Sequence, residues 1–218
     1  VVRRSPAAFV HENTRLTTIH FVPEIRLHLA VDDAVDLWEL TQESGEVDGA
    51  DPPFWAFAWA GGLALARYLL DHPEVVRGCR VIDVATGSGL VAVAAALAGA
   101  EEVLASDVDP LAVVAARRNA EANGVRVSVT VGSVTDLTAA PGDLVVAGDV
   151  FYDRSMAEQM LASLRRARDV GAEVLVGDPY RSRLPQDALT TLATYEVDVD
   201  PELERAPVVA ALVARLTG

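Results

Sequence analysis

The passage from Arg80 to Gly89 constrains this chain most. A short apolar run, Val81-Ile82-Asp83-Val84, is broken by one acid and leads straight into Ala85-Thr86-Gly87-Ser88-Gly89. Behind the glycines, Leu90 to Leu97 holds nothing but Leu, Val and Ala. The first run reads as a buried strand and the last as a helix. Glycines at 87 and 89 let the backbone turn tightly and come close to a ligand. The helix behind them brings free N–H groups. Strand, glycine turn and helix in this order open an α/β sheet, whose ligands bind beyond the carboxyl ends of the strands.

The rest of the chain repeats the alternation. Gly61 to Asp71 reads as a helix stopped by His72-Pro73. Strands are expected at Glu102–Ala105, Arg126–Val131, Leu144–Ala147 and Val174–Val176. Asp109-Pro110 supplies an N-cap acid and an N1 proline for a helix that ends at Asn123-Gly124. Ser155 to Arg168 is amphipathic and is closed by Gly171. Tyr195–Val199 and Val208–Leu216 look like two strands joined by a short Pro-Glu loop. No helix fits between them, so this pair must be antiparallel. The expected fold is α/β: a doubly wound, mostly parallel seven-stranded sheet of Rossmann-like type with an antiparallel C-terminal hairpin. Residues 1–52 read as an N-terminal extension with substrate-side elements and 53–218 as the cofactor-binding core. Together they make one compact domain, with the loop Glu43 to Pro53 its weakest-structured part.

By itself the glycine loop has two readings. Gly87-Ser88-Gly89-Leu90-Val91-Ala92 fits the G-x-G-x-x-G/A dinucleotide fingerprint, with Asp107 as its ribose acid. Asp83, however, lies in the strand just ahead of the loop. It would repel a pyrophosphate but suits the ammonium of an amino-acid cofactor. The terminal hairpin also falls outside the usual dinucleotide fold. These two features favour S-adenosylmethionine. Asp107, one strand over, can accept both ribose hydroxyls. Asp109 is better explained as a helix N-cap. Ser133 sits where an adenine edge would lie, although a plain turn explains it equally well. Asp149 and Tyr152 follow the fourth strand and should face the pocket, a helix cap being the other reading of Asp149. Pro53 to Gly62 concentrates aromatic residues, Trp55 and Trp59 among them. Aromatic faces attract cations, and a sulfonium is one. Core packing is the plainer account of Phe54 or Phe57.

Composition narrows the partners. Of the 218 residues, 32 are Asp or Glu and 18 are Lys or Arg, giving a formal net charge of −14. Such a surface repels phosphate backbones, so nucleic acid is not an expected partner. It favours a neutral small molecule or a basic patch on a protein. Cys79 is the only cysteine, which excludes an intrachain disulfide and a cysteine metal cage. It reads as a buried, inert thiol. Arg3 and Arg4 are followed by no apolar stretch, and the longest apolar run, Leu90 to Ala100, is too short for a bilayer. The expectation is a cytoplasmic protein that does not enter membranes.

Several segments together resemble one known family. They are Pro23 to Leu27, Pro53 to Gly62, Leu69-Leu70-Asp71, Val81 to Gly89, Ser106 to Pro110, Gly148 to Asp153 and Gly177-Asp178-Pro179. In this order they are similar to class I, seven-β-strand methyltransferases of the lysine-methylating branch. The resemblance implies an S-adenosylmethionine-dependent N-methyltransferase acting on a protein lysine, with a flavoprotein subunit as the suggested substrate. It implies cofactor contacts at Trp59, Asp83, Gly87, Gly89, Asp107, Ser133 and Asp149. It places Asp149 and Tyr152, an Asp-x-x-Tyr signature, at the reacting groups, and Trp55 and Tyr180 on the substrate side. A small-molecule N-methyltransferase acting on a nicotinamide-like amine, or a non-catalytic cofactor-binding protein, are the alternatives. This chain departs from the family pattern at Ala85, where a glycine is usual, at Ala60, where a proline is common, and at Tyr180, where a glycine is usual.

Overall fold

The computed structural model describes residues 5–31, 37, 52–204 and 206–218. The weakly structured loop expected from Glu43 lies outside them as far as Asp51. Helix α1 (Pro6–Asn13) leads into an antiparallel pair, β1 (Thr14–Thr18) and β2 (Arg26–Ala30). Then come α2 (Ala60–Asp71), β3 (Arg80–Val84), α3 (Leu90–Leu97), β4 (Glu102–Asp107), α4 (Pro110–Ala122) and β5 (Ser128–Val131). The second half holds β6 (Leu144–Gly148), α5 (Arg154–Asp169), β7 (Glu173–Asp178), β8 (Leu189–Asp198), the short α6 (Pro201–Glu204) and β9 (Val208–Leu216).

Seven strands form one sheet in the order β5-β4-β3-β6-β7-β9-β8. The first five are parallel, and β9 runs antiparallel to both β7 and β8. Strand alternation sorts the core onto two faces. Val81, Leu144, Val146, Leu175 and Val213 face α2, α3 and α4. Ile82, Val84, Val145, Val174 and Leu212 face α5. The sheet is thus the doubly wound type, closed by the expected hairpin. The chain steps outward from β3 to β5, then crosses back to β6 on the other side of β3. That crossing opens a crevice at the carboxyl ends of β3 and β6.

Three expected boundaries shift. Strand β5 begins at Ser128 rather than Arg126. Strand β8 begins at Leu189, six positions ahead of Tyr195, with a register shift between Thr191 and Ala193. Its early residues are mostly Thr and small side chains on a half-exposed edge, so no apolar alternation announces them. Pairing with β9 imposes the strand. The link between β8 and β9 contains the turn of helix α6 rather than a plain loop. Cys79 is only partly buried.

Glycines set how α2 meets the sheet. A Cβ on Gly61 would fall 2.4 Å from the carbonyl oxygen of Gly177, and one on Gly148 would fall 2.9 Å from the Cα of Gly62. Only glycine at these positions lets the first turn of α2 touch the ends of β6 and β7.

Candidate active site

A cavity of about 480 Å³ occupies the crevice. One wall is the loop after β3. Ala85, Gly87 and Gly89 all have positive φ, at 53°, 53° and 80°. A Cβ on Gly89 would sit 2.9 Å from Ala116, so the glycine also permits α3 and α4 to pack closely. Asp83 is buried and braces this loop. Its Oδ2 accepts both the Thr86 hydroxyl and, at 3.1 Å, the Ala92 N–H. Among the described residues no hydrogen bond reaches its Oδ1. Burial pushes the Asp83 carboxyl up to about 7, against the pull of those two donors.

Asp107 is fixed at the end of β4. Its Oδ2 accepts the Gly87 N–H at 2.8 Å and its Oδ1 the Asp109 N–H at 3.0 Å. Asp109 is the helix cap that the sequence implied, accepting the Leu111 N–H at 2.7 Å. Ser133 lines the cavity, but its hydroxyl accepts the Thr135 N–H and meets the Thr135 hydroxyl. It completes a capping box with Asp136, so the turn reading of Ser133 describes what is seen.

The aromatic segment divides between core and cavity. Trp55 is 1% exposed and packs in a cluster with Phe9, Val10 and Leu111. Its backbone lies against Gly87, 3.9 Å from where a Cβ there would stand. It lies beside the glycine loop and also lines the cavity. Trp59 precedes the first turn of α2 without a side-chain bond to it, and its indole N–H donates to the Phe54 carbonyl at 2.9 Å. Tyr152 is half-exposed at the cavity edge, its ring 5.2 Å from that of Phe54. Tyr180, expected at the substrate mouth, is exposed and does not line the cavity. Its neighbour Arg181 does.

Asp149 stands at the end of β6 with φ at 58°. Its N–H donates to the Gly177 carbonyl at 2.9 Å, which fixes the turn. Its Oδ2 accepts the Gly62 N–H at 2.7 Å and its Oδ1 meets Arg181 at 2.9 Å. Asp149 therefore does serve as a helix cap, but for α2. The following helix, α5, is capped by Asp153. Burial raises the Asp149 carboxyl to about 7, with the Arg181 guanidinium and the Gly62 N–H opposing the rise. Arg181 was not anticipated from the sequence. Its Nη2 also reaches Glu204 of α6 at 2.9 Å, and its guanidinium carbon lies 5.8 Å from the centre of the Trp59 ring.

A glycine loop, two acids at adjacent strand ends and a charged cluster across the crevice thus share one cavity. Comparison with known proteins supplies the family. The chain is 39% identical over 180 residues to the electron transfer flavoprotein beta subunit lysine methyltransferase of Xenopus laevis, covering 82% of this chain and 72% of that protein. The chain belongs to this methyltransferase family. The human member is also 39% identical, over 80% of this chain and 66% of its own length. Residues 65–151 match the ribosomal protein L11 methyltransferase (PrmA) family. Among solved structures, the tRNA (uracil-54, C5)-methyltransferase of Pyrococcus abyssi, in complex with S-adenosyl-L-homocysteine, superposes with a TM-score of 0.53 at 22% identity. It covers 72% of this chain and 38% of that one. The YcgJ protein of Bacillus subtilis superposes with a TM-score of 0.56 at 13% identity, covering 70% of this chain and 97% of that one. These likenesses speak to the fold alone. Family membership makes the chain an S-adenosylmethionine-dependent methyltransferase. Among the described residues, no helix is long and apolar enough to cross a membrane.

Proposed function

We propose that this chain methylates a lysine side chain of the electron transfer flavoprotein beta subunit of its own host. The observation that carries the reading is the shared cavity, which Asp83, Asp107, Asp149 and Tyr152 all line.

The donor set fits S-adenosylmethionine. Asp83 is the residue to hold its ammonium through Oδ1, and Asp107 the residue to hold its ribose. Gly87 and Gly89 let the backbone come close, and Trp59 adds an aromatic edge near the cationic centre. Ser133 contributes backbone and shape, its hydroxyl oxygen already accepting from the Thr135 N–H and hydroxyl. When bound, this cofactor supplies an electrophilic methyl group. The amine lone pair forms the new N–C bond, the C–S electron pair stays with sulfur, and the proton lost by the amine goes to solvent.

The protein's share is placement. A lysine amine, with a reference pKa of about 10.4, must arrive unprotonated. Removal from water favours that form. Asp149 orients the amine by accepting its hydrogen, and Tyr152 with Phe54 walls the approach. The acidic surface suits a basic recognition segment on the acceptor.

The test is transfer of label from radioactive S-adenosylmethionine to the purified beta subunit, in parallel with a lysate of the host, followed by mass spectrometry. Label on a lysine of the subunit supports the reading. Label only in the small-molecule fraction would sink it.

A further inference from the structure

We propose that Arg181 is a positioning residue for methyl transfer: it holds the Asp149 carboxylate in place and offsets its charge, so that the acceptor amine is delivered unprotonated. The inference rests on the amine-methylating reading above and adds the group that makes Asp149 usable. A bare carboxylate beside the amine would stabilise the ammonium, which cannot react. The site answers this with a fixed cation.

The fold is built to aim that cation. Strand β7 ends at Asp178, whose Oδ1 accepts the Arg181 N–H at 2.6 Å. Between them the backbone turns through Pro179 and through Tyr180, whose φ is 60°. The turn carries the Arg181 side chain back over the crevice, where it lines the cavity. There it meets Asp149 at 2.9 Å from one side and Glu204 of α6 at 2.9 Å from the other, above the Trp59 ring. Asp149, in turn, is held by Gly62 through its second oxygen. The carboxylate is thus clamped between a helix N-terminus and a guanidinium. The charged groups around it are Arg181 itself, Asp178 at the end of β7 and Glu204 from the hairpin link. Arg181 is the one cation among these described groups. Removing it leaves Asp149, Asp178 and Glu204 with no cation among these described protein groups to offset them.

A purely structural ion pair and a positioning cation predict different pH behaviour. In the flavoprotein-subunit assay, the rising limb of kcat against pH reports deprotonation of the bound amine. Loss of a cation within a few ångströms should move that limb in Arg181→Gln upward by about one pH unit or more. The variant should regain rate at high pH. Arg181→Lys, which keeps the charge, should keep the limb near its original place. Glu204→Gln removes a negative charge and should move it the other way. Uniform loss of rate with no shift of the limb would overturn the proposal.

A second measurement does not depend on the flavoprotein acceptor. n-Butylamine is titrated into the S-adenosylhomocysteine complex at a series of pH values. The wild type should bind more tightly as pH rises, because it takes the neutral amine. Arg181→Gln should lose that dependence. Identical pH dependence in the two proteins, or no binding to the wild type, would count against Arg181. Butylamine binding with the expected pH dependence but no transfer to the subunit would overturn only the choice of acceptor.

Discussion

Asp149 and Gly62 are joined across the crevice by a 2.7 Å hydrogen bond from the backbone N–H at the start of α2 to the carboxylate at the end of β6. One side chain therefore seats a helix and lines the cavity, where the proposed mechanism puts the acceptor amine. The two duties can be separated. Asp149→Asn keeps an acceptor for Gly62 but loses the ion pair with Arg181. It should lower kcat by at least about tenfold, a barrier increase of about 1.4 kcal/mol, while S-adenosylmethionine affinity measured by calorimetry stays nearly unchanged. Asp149→Ala also strands the Gly62 N–H, and should cost a further 1–3 kcal/mol or so of stability in urea unfolding. An unchanged kcat in Asp149→Asn would remove Asp149 from the mechanism.

Ala85 occupies a left-handed position, with φ at 53°, in the glycine loop that lines the cavity. A side chain there costs roughly 1–2 kcal/mol of backbone strain. Ala85→Gly relieves it, at the expense of about 0.4–1 kcal/mol of extra freedom in the unfolded chain. The net expectation is a modest rise in stability, visible as a thermal midpoint higher by about 1–4 °C. A lower midpoint would show that the Ala85 methyl contributes packing that outweighs the strain.

Gly61 and Gly177 are pressed together so closely that a Cβ on either would clash with the backbone of the other. Gly61→Ala must push α2 off the sheet and carry the Gly62 N–H away from Asp149. It should cost about 1–3 kcal/mol by overpacking and lower activity as well. Gly132→Ala is the control for stability, since nothing lies nearer than 3.9 Å to a Cβ there. Equal unfolding midpoints for the two variants would refute the tight-contact argument.

The buried carboxyls give stability a defined pH dependence. Asp83 and Asp149 sit at about 7 and Asp178 at about 6, all above the ordinary value of 3.8. Between those limits the folded protein holds protons that the unfolded chain has released, so raising the pH destabilises it. This contribution is fully present below about pH 4 and fades as the pH climbs through about 7. The thermal midpoint of the ligand-free protein should therefore fall across that window, and fall less in Asp83→Asn. Cofactor affinity should run the opposite way, rising with pH as Asp83 ionises. A flat affinity profile in the wild type would mean that Asp83 does not meet the ammonium.

The unit from β3 to α3 was legible because its signals are local: an apolar strand, glycines that need positive φ, and an Ala-rich helix. The terminal hairpin was legible because the link between its strands is too short for a crossover helix, although it does hold the single turn of α6. Arg181 was not, because its place depends on Asp149, on Glu204 of α6 and on the turn set by Asp178, which meet only in the folded chain. The available hint was an Asp-Pro turn at a strand end followed by two arginines, Arg181 and Arg183. Gly148 and Gly177 stood in the segments that carry the resemblance, but why they are glycine was hidden, since the need comes from α2 on the opposite side of the contact. Ser133 was read for two roles, and its hydroxyl bonds within its own turn. Tyr180 was singled out as the departure from the family pattern, yet the cavity is lined by the residue after it.

The double duty of Asp149 has an evolutionary consequence. Under the proposed mechanism, selection for a seated α2 and selection for methyl transfer act on the same carboxylate. A descendant that ceased to methylate anything would still be under pressure to keep this aspartate for the sake of its scaffold. Its survival in a paralogue would therefore be poor testimony to activity. Drift would first erase Arg181, whose loss leaves the Gly62 bond in place, and it is there that retired copies of this enzyme should be told from working ones.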